Sequence, residues 1–473
     1  MAVRLLWFRR DLRLGDNPAL HAAAGTGAPG TGAESRRSVL PVFVVDPVLW
    51  ESAGPARQAY LARSLRALDG SLRDHGAQGL VVRYGDPAVE LPRLAVEVRA
   101  EQAHAAADFG PYGRTRDDAV ERALGDVPFV RTGSPYAVAP GRVTKGDGTP
   151  YRVFTPFLRA WTDHGWRGPL PVPEGVEWAS ASSGGLPDEP ESDVPQLPPA
   201  GEEAAYEHWA DFRDDGGGGG SGGGGGLAEY AEKRDRADLP GSSRLSVHLK
   251  FGEIHPRTLL AETDARAAGA AKFRSELAWR EFYADVLWHR PDTGREYLDA
   301  RFTSMPYDEG PGAEEEFEAW CAGRTGFPFV DAGMRQLLAE GWMHNRVRMV
   351  VASFLVKDLH QEWTRGAAHF MHRLADGDLA SNSHGWQWVA GCGTDAAPYF
   401  RVFNPVTQGR KFDPDGDYVR KYVPELRGVA GAAVHEPWKL KDGLPNGYPA
   451  RIVDHGAERE VALARYAAMR EGN

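Results

Sequence analysis

Cysteine is nearly absent. The 473-residue chain has two, Cys321 and Cys392, far apart in sequence, and so sparse a pair points to a reducing compartment with no disulfide framework. Long apolar runs are missing too: none approaches the roughly 20 residues that cross a bilayer. The N-terminal MAVRLLWFRRDLRLGDNPAL is broken by Arg and Asp before a signal-peptide core could form. A cytoplasmic protein with no membrane partner is expected. No Gly-x-Gly-x-x-Gly follows the first strand-like run, which removes the usual dinucleotide loop. Basic excess is lacking as well, the formal net charge being −11. That total does not exclude nucleic acid, because a local basic patch binds phosphates whatever the sum.

What is present sorts by position. Val3 to Phe8, Val39 to Val45, Leu80 to Tyr84 and Val127 to Arg131 have strand composition. Arg57 to Arg73, Pro87 to Val98 and Arg114 to Leu124 have helical spacing, with Leu61, Leu65, Leu68 and Leu72 on one side of the first. This alternation predicts a parallel, Rossmann-like sheet with helices on both faces, and Gly25 to Ser35 reads as a surface loop. Pro169 to Pro199 reads as an extended connector and Glu202 to Phe212 as a helix. The eleven residues Gly216 to Gly226, GGGGGSGGGGG, are a flexible coil. From Leu227 the pattern is helical. The expected organisation is an α/β domain over 1–132, a connector over 133–226 and an all-α domain over 227–473, in a monomer.

The helical part carries the chemistry. Ser242 and Ser243 precede a helix expected to begin near Arg244. Their hydroxyls fit a helix cap or, with free N–H groups, a phosphate cradle. Lys272 to Trp288 should be one helix. At 3.6 residues per turn Glu276, Trp279, Arg280 and Tyr283 share a face, while Phe282 and Val286 form an apolar flank. A carboxylate, a guanidinium and two aromatics on one face suit a flipped-out base pair, which needs rings to stack on and polar groups for its edges. Gly341 to Lys357 should be a second helix, with Val347, Val351 and Phe354 toward the core and Asn345, Arg346, Met349 and Ser353 opposite. Asp376 to Arg401, DGDLASNSHGWQWVAGCGTDAAPYFR, sets two carboxylates, Asp376 and Asp378, before Asn382, Trp386 and Trp388. An amide can bond a ring nitrogen, and indoles can stack on bases or relay electrons. Gln408 follows, with Arg401, Arg410 and Lys411 adding basic character.

DGDLASNSHGWQW followed by TDAAPYFRVFNP, together with WFRRDLRLGDNPAL near the N-terminus, resembles the photolyase/cryptochrome family, and WMHNRVRM resembles its class I dimer-repair branch. The resemblance implies an FAD held by Tyr230, Ser242, Ser243, Arg244, Leu245, Ser246, Arg348, Asp376, Asp378 and Asn382. Ser242 stands where threonine is usual. It pairs Asp376 with Arg348 and sets Asn382 against the flavin N5. Trp386 and Trp363 match the inner members of an electron path, and Tyr307, in MPYD, stands where a third tryptophan is usual. Glu276, Trp279, Arg280, Tyr283, Asn345, Arg346, Met349, Trp388 and Gln408 match lesion contacts, Glu276 also stabilising charge that develops on the lesion. His344 is expected to be a structural hydrogen-bonder, and no metal is expected.

PYGRTRD, preceded by Asp108, resembles the members whose antenna chromophore is 8-hydroxy-5-deazaflavin. Asp108 and Lys250 are its polar candidates, a folate is the alternative antenna, and Asp108 reads equally as a strand-end turn residue. The implied reaction splits cyclobutane pyrimidine dimers in ultraviolet-damaged DNA, using one electron from light-excited, fully reduced anionic FAD. The dimer must be flipped out of the duplex, and photolyases are among the enzymes from which that rule is drawn. The alternative is a cryptochrome-like blue-light photoreceptor without repair, against which Asn382 counts, since plant-type sensors have an acid there.

Overall fold

The computed structural model describes residues 2–26, 37–191, 194, 196–214, 226–395 and 400–471. Most of the Gly25 to Ser35 loop, nearly all of the Gly216 to Gly226 coil, and residues 396–399 of the TDAAPYFR segment lie outside the described residues.

The N-terminal part is built on six strands: β1 (Ala2–Phe8), β2 (Arg37–Val45), β3 (Val81–Tyr84), β4 (Ala100–Ala105), β5 (Phe129–Arg131) and β6 (Glu177–Trp178). All pairings are parallel in the order β3-β2-β1-β4-β5, with β6 joining β2 beyond the end of β3. Leu5 and Trp7 of β1 pack into one buried cluster and Leu6 and Phe8 into another, so both faces of the central strand are covered, as a parallel sheet requires. The strand at Ala100–Ala105 was not expected. Its sequence, AEQAHA, lacks β-branched and aromatic residues, and only its central place beside β1 makes it a strand. The chain reverses its winding between β1 and β4, which opens a crevice at their carboxyl ends.

Beyond Leu227 the described regular elements are α- and 3-10 helices. The helix Leu379–Ala390 is the hub: it packs against Ala268–His289, Asn345–Lys357 and Trp363–Arg373. The connector is tied to this bundle by two buried acids that sequence reading passed over. Glu281 accepts from the Val138 amide and the Trp161 indole N–H, at 3.0 and 2.6 Å, and Asp285 accepts from the Gly141 amide at 2.7 Å. Both lie on the inner side of Ala268–His289, whose polar–apolar pattern gave no reason to bury them.

Two expected boundaries move. The helix anticipated from Gly341 begins at Asn345; Gly341, at φ +58°, ends the preceding helix instead. The helix anticipated near Arg244 begins at Ser246, with Leu245 at its cap position and no side-chain cap bond. Arg244 has a φ of +50°, which holds the chain out of the helix. Ser242 and Ser243 therefore do not cap it.

Candidate functional site

Three groups of side chains stand out, and the hub helix or its cap contributes a member to each. The first sits at its N-terminus. Asp378 caps it, accepting from the Ser381 amide at 3.1 Å, and pairs with Arg10 at 2.8 Å across the junction with the sheet. Burial raises the Asp378 carboxyl, but Arg10, Lys250 and Arg280 outweigh that and hold it well below the usual carboxylate range. Asp376 pairs with Arg348 at 2.8 Å, the pairing the sequence implied, while its buried Oδ1 has no partner among the described residues. One turn into the helix, the Asn382 amide N–H donates to the Ala367 carbonyl at 3.0 Å, which fixes the amide and leaves its oxygen without a protein partner among the described residues. Apart from these, Ser242 lines a cavity of about 540 Å³ with Arg244, Trp342, His344 and Tyr422, a lining that does not include Asp376, Asp378 or Asn382, and neither Ser242 nor Ser243 has a side-chain partner among the described residues. Tyr230 is buried against Phe212 and Phe273, and the Ser246 hydroxyl accepts from the Trp342 indole at 3.2 Å. Two free hydroxyls, an open amide oxygen and an orphaned buried carboxylate oxygen match a large polar cofactor bearing phosphates and ring heteroatoms.

The second group faces outward. Glu276 is ion-paired with Arg234 and, at 3.1 Å, with Lys272. Asp235 continues the line to Arg346 at 2.8 Å, and Arg346 reaches the Met349 sulfur and covers the Phe412 ring. Trp279 stacks on Phe154 with ring centroids 3.7 Å apart at 10°, and the Trp388 indole N–H donates to the Asp395 carbonyl at 3.0 Å. Tyr283 stacks on the buried His384. Asn345 is exposed and Gln408 half-buried, whereas Arg410 is taken up by Glu436. Two residues part from the shared faces expected of them. Arg280 donates to the Pro135 and Leu249 carbonyls at 3.0 and 3.1 Å and covers Tyr136, which turns it toward Asp378. Ser353 is fully buried and accepts from the Phe403 amide at 3.2 Å. His344 caps its helix, its Nδ1 accepting from the Arg346 amide at 3.2 Å, and burial lowers its pKa to about 4, which keeps the ring neutral for that task.

The third group is aromatic. Trp386 packs so closely on Gly366 that a Cβ there would lie 2.1 Å from the ring. It meets Phe370 and Trp320 edge-on at 5.0 and 6.1 Å. Trp363 is fully buried at the start of its own helix. Tyr297, which sequence reading missed, meets both Trp363, ring to ring, and Tyr307, oxygen to oxygen at 3.3 Å.

At the β1–β4 crevice Asp108 accepts from the Gly110 amide and pairs with Arg116, both at 3.1 Å. Burial raises its carboxyl, yet Arg116, Arg10 and Arg9 bring it to about 2. Lys250 faces the same crevice. Burial, then Arg10, lowers its ammonium to about 7, and it has no hydrogen-bond or ion-pair partner among the described residues. No group of acids, histidines and cysteines able to hold a metal occurs among the described residues, and none of their helices is long and apolar enough to cross a membrane.

A parallel-sheet domain joined to a helical domain with free polar groups and an aromatic, ion-paired face fits a class of proteins that bind a large polar cofactor and a partner with stacking rings. The comparisons with known proteins agree. Residues 4–175 match the DNA photolyase family and residues 273–468 the FAD binding domain of DNA photolyase. The chain is 40% identical to the deoxyribodipyrimidine photo-lyase of Halobacterium salinarum, over 99% of each chain. Among solved structures it resembles a class III photolyase from Agrobacterium tumefaciens, with a TM-score of 0.86, 37% identity and coverage of 100% of this chain and 98% of that one. It also resembles an archaeal photolyase from Sulfolobus tokodaii that holds two FAD molecules, with a TM-score of 0.82, 28% identity and coverage of 98% and 100%. The chain belongs to the DNA photolyase family.

Proposed function

We propose that this protein repairs cyclobutane pyrimidine dimers in DNA, using light and a bound FAD. The observation that carries this reading is the hub helix itself, which brings an open amide oxygen at Asn382, the relay indole Trp386 and the half-exposed Trp388 within three turns. A flavin in contact with Asn382 and a base stacked by Trp388 would be held by one rigid element.

FAD, when bound, supplies the light-driven electron. Ser242 and Ser243 would donate to its pyrophosphate, and Arg348 holds Asp376 in place with one oxygen free to accept. Asn382, with one amide N–H committed to Ala367, would present its oxygen to a ring N–H. On the lesion side Glu276, as an ion-paired carboxylate, accepts from a base N–H. Arg234 and Lys272, on the same carboxylate, put positive charge where the dimer becomes negative. Trp279 and Trp388 would supply ring faces for the flipped bases, and Arg346 and Gln408 would reach the backbone of the strand.

The crevice between β1 and β4 is proposed as an antenna site. Asp108, Arg10 and the unpaired Lys250 suit a planar chromophore with an acidic group, and the resemblance of PYGRTRD favours 8-hydroxy-5-deazaflavin over a folate.

The test is light-dependent loss of dimers from an oligonucleotide containing one, with Glu276→Gln as the variant. FAD content should be unchanged and repair per photon lower. Undiminished repair by Glu276→Gln would remove Glu276 from the lesion site.

A further inference from the structure

Among the described residues, the ring that Trp363 meets is a phenol and not a third indole. Trp363 lies edge-on to Tyr297, with ring centroids 6.1 Å apart at 77°. The Tyr297 oxygen is 2.8 Å from Glu362 Oε1 and 3.3 Å from the Tyr307 hydroxyl. A phenol has one proton to donate. The shorter, charge-assisted contact takes it, so Tyr307 in turn donates to the Tyr297 oxygen. Glu362 occupies the cap position of Trp363–Arg373 yet makes no side-chain cap bond. A carboxylate well placed to satisfy a helix N-terminus is committed to a phenol instead. Burial first, then Tyr307 and Glu362, hold the Tyr297 hydroxyl far above the usual tyrosine range, and burial does the same for Tyr307. Neither is a phenolate at neutral pH, so either can give up an electron readily only if its proton leaves in the same step.

We propose that Tyr297, with Glu362 as its proton acceptor, is the residue that returns an electron to Trp363. The inference rests on the reading of Trp386 and Trp363 as an electron path, with photoexcited flavin as the oxidant at its inner end. Trp363, having passed an electron inward through Trp386, is one electron short. Tyr297 supplies that electron across the ring contact. Its O–H bond breaks, and the proton moves to Glu362 Oε1. The products are a neutral Trp363 indole, a neutral Tyr297 radical and a neutral Glu362 carboxylic acid, so one electron and one proton are accounted for. Proton loss makes the step hard to reverse, because return to Trp363 would require the proton to come back from Glu362. Tyr307 is a positioning residue that holds the Tyr297 oxygen from the far side. This arrangement explains how the chain keeps a working outer donor with tyrosine, not tryptophan, at position 307.

The experiment reads the radical and not repair. FAD-loaded protein is illuminated, frozen and examined by electron paramagnetic resonance, with transient absorption in H2O and D2O alongside. The unaltered protein should give a neutral tyrosyl radical that forms more slowly in D2O. Tyr297→Phe should lose that signal and leave a short-lived tryptophan radical. Glu362→Gln should do the same, because its amide oxygen still accepts the phenol hydrogen bond but is no base. Tyr307→Phe should keep the signal with altered line shape. A tyrosyl signal of full strength in Tyr297→Phe or in Glu362→Gln overturns the proposal. A tryptophan radical with no tyrosyl radical in the unaltered protein also overturns it. The absence of both radicals overturns the electron path and this proposal with it.

Discussion

Truncating Trp279 separates recognition of the lesion from attraction to DNA. The indole is half-buried. One face lies on Phe154 at 3.7 Å, and its edges meet Phe282 and Tyr283 at 5.7 and 5.3 Å. Only the remaining surface is free for a flipped base. One aromatic stacking partner is worth about 1–3 kcal/mol per base, and about 1.4 kcal/mol is tenfold in affinity. Trp279→Ala should therefore raise the Kd for dimer-containing DNA by roughly 5- to 150-fold. Undamaged duplex, held through its phosphates, should be nearly unaffected. The same change removes packing on Phe154, so the Tm should fall, though by less than the ~3–5 kcal/mol typical of a fully buried ring. Trp279→Phe, which keeps a ring on Phe154, should recover much of both. The assay is a fluorescence anisotropy titration of two labelled oligonucleotides, identical except for one dimer, at fixed salt and well below the Tm of the variant. Equal loss of affinity for both, or for neither, would refute the placement of Trp279 against the lesion.

Other perturbations test other parts. Affinity for dimer-containing DNA should fall steeply with salt, since each neutralised phosphate releases counterions; salt-independent binding would exclude a phosphate-tracking face around Arg346. Asn382→Asp sets a carboxylate where an amide now donates to Ala367, so the flavin spectrum under light should change and repair should drop; identical spectra would take Asn382 away from the flavin. Gly366→Ala should displace Trp386 and slow photoreduction with FAD still bound, and normal photoreduction would show that the ring has room. Lys250→Met removes a half-buried cation with no partner, so the antenna-free protein should melt at a higher temperature while deazaflavin occupancy is lost; retained occupancy would move the antenna elsewhere.

Much of this was legible in the sequence where local pattern and packing agree. The strand at Val39 is apolar and rich in valine, that at Val3 is a short, mostly apolar run, and the Lys272 to Trp288 helix follows its own periodicity. The pairing of Asp376 with Arg348 came from resemblance, and the structure adds that one carboxylate oxygen stays free. What was not legible depends on tertiary neighbours. AEQAHA becomes a strand only between β1 and β5. Ser353 looks like a surface residue until the Phe403 amide returns to it. Arg280 shares a helical face with Trp279 but is long enough to turn back to two carbonyls. The serines at 242 and 243 lost their cap role because Arg244 adopts a positive φ, which no propensity predicts for arginine. Tyr297 carried no signal at all, since its partners Trp363, Glu362 and Tyr307 lie 66, 65 and 10 residues away.

The central claim is that this flavoprotein repairs and does not merely sense light. The most direct measurement is the visible spectrum of the purified, FAD-loaded protein with excess dimer-containing oligonucleotide, before and after blue light under reducing conditions, with dimers counted in the same cuvette. The account predicts that reduced flavin persists through illumination while dimers disappear in excess over protein, and that a dark sample keeps them. Reduction of the flavin by light with every dimer left intact would contradict it and would make this chain a photoreceptor.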